Sequence, residues 1–233
     1  MTVDASNSSI KAVVLDWGGV LTVPPAPVIE DLYDKAGVDK EQLRIRREAY
    51  KEEDPNSRFA RLERGEITLE SYLAWSREDL PGAEVIWDPQ SPYFLFDHLA
   101  VIPKVVERVK ELRDRGFLTG LLSNNIAEAW PTVARGLDLD HLFDVVVNSA
   151  FIGMRKPEKN IFNYLLEQLE LEPHQVLFLD DNPVNVRAAK KVGLQIIKVV
   201  QPVAALDQIE PVSYTHLRAH ETRGNLVCRL LLE

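Results

Sequence analysis

Cysteine is almost missing from this 233-residue chain: Cys228 stands alone, so no internal disulfide can form and a reducing compartment is the better fit. Long apolar runs are missing too. No stretch approaches the roughly 18 consecutive apolar residues of a membrane span. The opening residues MTVDASNSSI have neither the positive flank nor the apolar centre of a secretory leader. Positive charge is scarce: 27 Lys and Arg stand against 36 Asp and Glu, for a formal net charge of −9. That balance argues against nonspecific nucleic-acid binding and against docking on anionic membranes, both of which need basic surfaces. The expectation is a soluble, cytoplasmic protein with no nucleic-acid or membrane partner. An anionic small molecule is still admitted, because a local lysine and a metal override a global charge.

What is present builds a core. Hydrophobic residues at 45% and charged residues at 27% are ordinary globular values, and the length admits an α/β domain with a modest insert. Residues 11–16 form a Val-rich run consistent with a buried strand. Gly18-Gly19 then force a tight turn. Pro24, Pro25 and Pro27 cannot sit in a helix interior and read as a linker out of the sheet. From about 28 to 98, VIEDLYDKAGV, KEQLRIRREAYKEED and TLESYLAWSREDL carry apolar residues at helical spacing, separated by Gly37, Asp54-Pro55, Gly65 and Pro81-Gly82. This part predicts an all-helical insert.

From Pro103 onward, strands predicted at 117–122, 143–147, 176–179 and 194–200 alternate with helices. The rhythm predicts a Rossmann-like α/β core with a doubly wound parallel sheet, made of residues 10–24 and 100–201, with the insert spanning 25–99. Residues 212–233 carry three Arg, two of the five His and the only Cys in an otherwise acidic chain, and read as a non-native tail.

Four apolar runs end in polar clusters. The first ends at Asp16, the second at Ser123-Asn124-Asn125, the third is followed by Lys156-Pro157, and the fourth ends at Asp180-Asp181. In an open α/β sheet, ligands bind outside the carboxyl ends of the strands, so these clusters would share one edge. Each has a bland reading. Asp16 could cap a helix, Ser123 and Asn124 are good caps, lysines are usually surface residues, and Asn182-Pro183 starts a helix. Together they carry chemistry. The Trp17-Gly18-Gly19 turn offers backbone N–H groups that can cradle phosphate oxygens. A carboxylate at Asp16 can attack phosphorus. Ser123 and Asn124 can donate to a phosphoryl oxygen, and Lys156 supplies a point charge. The adjacent carboxylates of Asp180 and Asp181 repel unless a cation lies close by, which suits Mg²⁺. Asn185 could orient the pair, and Arg155 reads as a surface residue.

With these four clusters in this order, the chain resembles the haloacid dehalogenase-like hydrolase superfamily over residues 11–200. The Asp180-Asp181 pair with Asn185 is similar to the subgroup whose fourth motif reads DD-x-x-x-N. The resemblance implies a mobile helical cap formed by the insert, and a Mg²⁺-dependent phosphatase of a small phosphorylated metabolite. It implies Asp16 as nucleophile and metal ligand, and Lys156 as the catalytic charge. It further implies Trp17, Gly18, Ser123 and Asn124 around the phosphoryl group, and metal held by Asp16, the Gly18 carbonyl, Asp180 and Asp181. One position departs from the pattern: family phosphatases carry a second, acid/base aspartate where this chain has Gly18. Three readings stay open on that account: a phosphatase in which the acid is replaced or unneeded, a dehalogenase-like hydrolase attacking carbon, and a catalytically weak metabolite-binding protein.

Overall fold

The structure, a computed structural model, describes residues 10–39, 41, 43, 44, 54–79, 81–135 and 137–209. The expected tail at 212–233 and most of KEQLRIRREAYKEED lie outside these residues.

In chain order, β1 (Ala12–Leu15) runs into a wide turn at Trp17–Leu21 and then into α1 (Pro25–Lys35), α2 (Arg58–Glu63), α3 (Leu69–Asp79) and α4 (Leu95–His98). Next come α5 (Pro103–Asp114), β2 (Leu118–Ser123), α6 (Trp130–Ala134), α7 (Leu139–Leu142) and β3 (Val145–Asn148). The chain continues through α8 (Ser149–Ile152), α9 (Lys159–Leu169), β4 (Val176–Asp180), α10 (Pro183–Val192), β5 (Gln195–Lys198) and α11 (Pro202–Asp207).

All strands are parallel and lie in the order β3-β2-β1-β4-β5. The period-two geometry of β1 splits its side chains between two cores. Val13 and Leu15 join the cluster that holds Val105, Val109 and Leu112 of α5, while Ala12 and Val14 join the one that holds Ile161, Phe162 and Leu165 of α9. Both faces of the sheet are therefore covered, which is why its strands read as continuous apolar runs rather than alternating ones. The expected Rossmann-like α/β core is present.

The strand order also places the site. From β1 the chain moves outward to β2 and β3, then returns to β4 on the other flank of β1. The order reverses at β1, and the crevice beyond its carboxyl end is where open α/β sheets take ligands.

Among the described residues the segment between β1 and β2 contains helices and no strand. Its entry and exit run side by side: Thr22 bridges Val101 antiparallel, Val23 N donates to Ala100 O at 3.0 Å, and Ile102 N donates to Leu21 O at 3.0 Å. Part of it has its own core, with Leu32, Tyr33, Ala83, Ile86, Leu95 and Leu99 buried together. Another part packs Leu62, Leu69, Tyr72 and Leu73 on Ile126 and Ala129 beyond β2.

The prolines differ from expectation. Pro25 and Pro27 lie in the first turn of α1 instead of in a linker, with Pro24 as its N-cap. The first N–H groups of a helix have no intrahelical acceptor, so proline costs nothing there. At the other end of the chain α10 follows the expected grammar. Asn182 accepts from Val184 N at 2.8 Å, Pro183 opens the helix, and Gly193 ends it at φ 104.

Candidate active site

Asp16 continues the β1 ladder by one residue, its N–H donating to Leu179 O at 2.9 Å. Its own Oδ1 then accepts from Trp17 N at 2.7 Å, which turns the chain away from the sheet. The turn that follows requires glycine. Gly19 sits at φ 71, and a Cβ there would collide with the Asp181 carboxylate. At Gly18 a Cβ would come within 3.0 Å of Pro25 Cγ, so a side chain there would press on the α1 terminus, which would have to give by a few tenths of an ångström. Trp17 is 5% exposed, and its indole Nε1 has no hydrogen-bond partner among the described residues.

Lys156 is buried to 1% exposure, an unusual place for an ammonium. It is held by charge. Its Nζ lies 2.7 Å from Asp16 Oδ1 and 2.8 Å from Asp180 Oδ2, above the Phe178 ring at 5.5 Å from the centroid. Its backbone is gripped as well. Lys156 N donates to Asn124 Oδ1 at 2.8 Å, and Asn124 Nδ2 donates to Lys156 O at 2.8 Å. The following peptide bond, to Pro157, is cis.

Asp180 is fully buried and collects three donors: Lys156, the Asn185 amide at 3.1 Å and 3.3 Å, and Asn182 N at 2.8 Å. Carboxylate oxygens of Asp16, Asp180 and Asp181 lie within 4.8 Å of one another.

Burial pushes the Asp16 carboxyl up to about 7; Lys156 opposes that rise, while Asp180 and Asp181 add to it. Burial alone would lower Lys156, but the carboxylates of Asp16 and Asp180 outweigh it and hold its pKa above the ordinary lysine value. Hard oxygen donors gathered this closely are the right chemistry for Mg²⁺.

The strand-end clusters of the sequence thus converge on one crevice, with some residues turned to tasks their sequence context did not show. Ser123 is 1% exposed, its Oγ 3.4 Å from Asn124 O. The Asn124 side chain is committed to the Lys156 backbone in both directions. Asn185, expected to orient the acidic pair, donates to Asp180.

Arg155 corrects a reading: it is not a surface residue. It is 4% exposed, and its Nε donates to Glu63 Oε2 at 2.6 Å. Glu63, at the end of α2, was missed altogether. The one signal for it was a carboxylate on the same buried face as Ala60 and Leu62.

Comparison with known proteins gives the family and the fold. Residues 10–193 match the sequence profile of the haloacid dehalogenase-like hydrolases. Acyl-CoA dehydrogenase family member 10 of Mus musculus is 30% identical over 210 residues, covering 88% of this chain and 19% of its own length. Bifunctional epoxide hydrolase 2 of Sus scrofa is 28% identical over 228 residues, 90% of this chain and 40% of that protein. The chain therefore spans less than half of these relatives. A shorter match, 28% identical over 104 residues and covering 44% of this chain and 43% of the relative, is to glyceraldehyde 3-phosphate phosphatase of Pyrococcus furiosus. Among solved structures, a HAD family enzyme of Bacteroides thetaiotaomicron, in complex with magnesium and inorganic phosphate, has the same fold at TM-score 0.64. It is 21% identical, and the match covers 81% of this chain and 93% of that one.

Proposed function

The chain belongs to the haloacid dehalogenase-like hydrolase family, and within it we propose a Mg²⁺-dependent phosphatase of a small phosphorylated metabolite. The observation that carries this reading is the cluster at the switch point: three carboxylates within 4.8 Å of one another and one buried ammonium 2.7 Å from the first of them. An attack on carbon needs a carboxylate and an anion-binding group. It has no use for two further carboxylates beside the first, one of them fully buried.

Asp16 attacks phosphorus and forms an aspartyl-phosphate while the bond to the leaving oxygen breaks. Lys156 offsets the charge of Asp16 and of the incoming phosphoryl oxygens. Amides of the Trp17–Gly19 turn and the Ser123 hydroxyl receive those oxygens. Asn124 acts through Lys156, by fixing its backbone. Water then cleaves the acyl phosphate and regenerates Asp16. Asp16, the Gly18 carbonyl, Asp180 and Asp181 are the residues that would hold Mg²⁺. When bound, the ion neutralises developing charge on the phosphoryl oxygens. The helical segment from α1 to α4 caps the crevice and selects the substrate.

No side chain at position 18 can protonate the leaving group, and Pro25 occupies the space beside it. General acid help is worth about 10²–10⁴-fold. Substrates whose leaving group departs without it are therefore favoured, acyl phosphates and anomeric sugar phosphates above simple alkyl phosphates. Phosphate release from a panel of sugar phosphates, nucleotides and acetyl phosphate, with Mg²⁺ and with EDTA, tests the reading. Release that needs Mg²⁺ supports it. Halide release from a 2-haloacid that survives EDTA would replace it with the dehalogenase reading.

A further inference from the structure

The loop that carries Lys156 is held from two directions. On the sheet side it is held by Asn124. From the helical insert it is held by a buried ion pair, Arg155 Nε to Glu63 Oε2 at 2.6 Å, with side chains 5% and 10% exposed. A second pair lies beside it: Arg64 Nη1 donates to Glu158 Oε1 at 2.7 Å. The chain direction is fixed at the same place, because a Cβ on Gly65 would collide with the Ala150 carbonyl. Three consecutive insert residues, 63 to 65, thus seat on the two segments flanking Lys156.

A buried ion pair is a poor device for stability alone. Its desolvation cost roughly cancels its attraction, and an apolar pair of similar volume does as well or better. What it adds is direction: a charged hydrogen bond at this distance fixes where the Arg155 side chain ends, and the next residue in the chain is Lys156. Lys156 in turn must keep its Nζ within hydrogen-bond reach of Asp16. A displacement of about 1 Å in a reacting group costs on the order of 10²-fold in rate.

We propose that Glu63 and Arg155 are positioning residues, through which seating of the helical insert sets the placement of Lys156. The inference rests on the phosphatase reading for its kinetic arm only. Insert and catalytic loop are then one unit, and the lysine is in place only when the insert is seated.

The test is a set of variants: Glu63→Gln, Arg155→Met and the double Glu63→Leu/Arg155→Met, with p-nitrophenyl phosphate and Mg²⁺ as the probe. Either single change strands a buried charge and can unfold the protein, so the double variant is decisive. Removing both charges restores melting temperature to near that of the unaltered protein. Its kcat is expected to stay about 10- to 100-fold down, with KM within about threefold. Recovery of kcat along with stability would overturn the proposal, and so would a loss confined to KM. Hydrogen exchange separates this inference from the phosphatase reading. In the double variant, amides of Met154, Arg155, Lys156 and Glu158 should exchange faster while β1 and β4 stay protected, even if no phosphate ester is turned over. Unchanged exchange in that loop would also overturn it.

Discussion

Lys156 Nζ stands 2.7 Å from Asp16 Oδ1, and this one contact joins a buried cation to the proposed nucleophile. Neither residue would be tolerated at its depth without the other. Replacing Lys156 with Met leaves three carboxylates crowded together without their ammonium. Breaking a buried pair from one side costs about 3–5 kcal/mol. The metal-free Lys156→Met protein should therefore melt well below the unaltered one, while turnover falls by about 10²–10³-fold. Calorimetry and steady-state kinetics check the two halves separately. A variant that melts normally would show that the charges are not coupled as described.

The same cluster gives a pH dependence with a definite sign. The Asp16 carboxyl titrates at about 7 in the folded protein against 3.8 for the ordinary group. Between those values the folded state holds a proton that the unfolded chain has lost. Stability from this group is thus full below about 3.8 and is lost as pH rises through about 7. Without metal, the melting temperature should decline across this window, and Asp16→Asn should flatten the decline. Mg²⁺ competes with that proton, so it should raise the melting temperature more at about pH 8 than at about pH 5.5. An equal shift at both values would contradict the metal assignment.

Gly19 gives a test of Asp181. Its φ of 71 and the closeness of the Asp181 carboxylate leave no room for a methyl group. Gly19→Ala should push Asp181 aside and weaken Mg²⁺ binding by about 10- to 100-fold, the usual consequence of disturbing a ligand's support. Titration of Mg²⁺ against melting temperature measures this without relying on activity. An unchanged midpoint would remove Asp181 from the metal site.

Position 18 allows a gain of function. Gly18→Asp alone should not improve turnover, because Pro25 Cγ lies 3.0 Å from where its Cβ would be. Combined with Pro25→Ala, the new carboxyl has space, and hydrolysis of alkyl phosphates should rise at least about tenfold over Pro25→Ala alone, toward the range of general acid help. Acetyl phosphate, which needs no acid, should gain little. Equal gains on both substrates would show that the leaving group was never the obstacle.

Much of this arrangement is legible in the sequence because it is local. Apolar runs ending at Asp16, Ser123 and Asp180 mark strands and strand ends, and the parallel order brings those ends to one crevice. Pro183 and Gly193 bracket α10 as their chemistry demands. The illegible parts are those set by distant partners. Arg155 looks like any loop arginine until Glu63, 92 residues away, is folded against it. Asn124 looks like a helix cap or a phosphate ligand, and only the folded chain brings the Lys156 backbone, 32 residues away, to both ends of its amide. Pro25 and Pro27 resemble a linker because composition alone does not distinguish the first turn of a helix from the segment before it.

The most direct test of the account is to trap the intermediate. The protein would be mixed with acetyl phosphate and Mg²⁺, quenched in acid within the first turnover, and its peptides weighed. One added phosphoryl group is expected on the peptide containing Asp16, absent with EDTA and absent in Asp16→Asn. Rapid phosphate release with that peptide unmodified, or with the phosphoryl group on another residue, would contradict it.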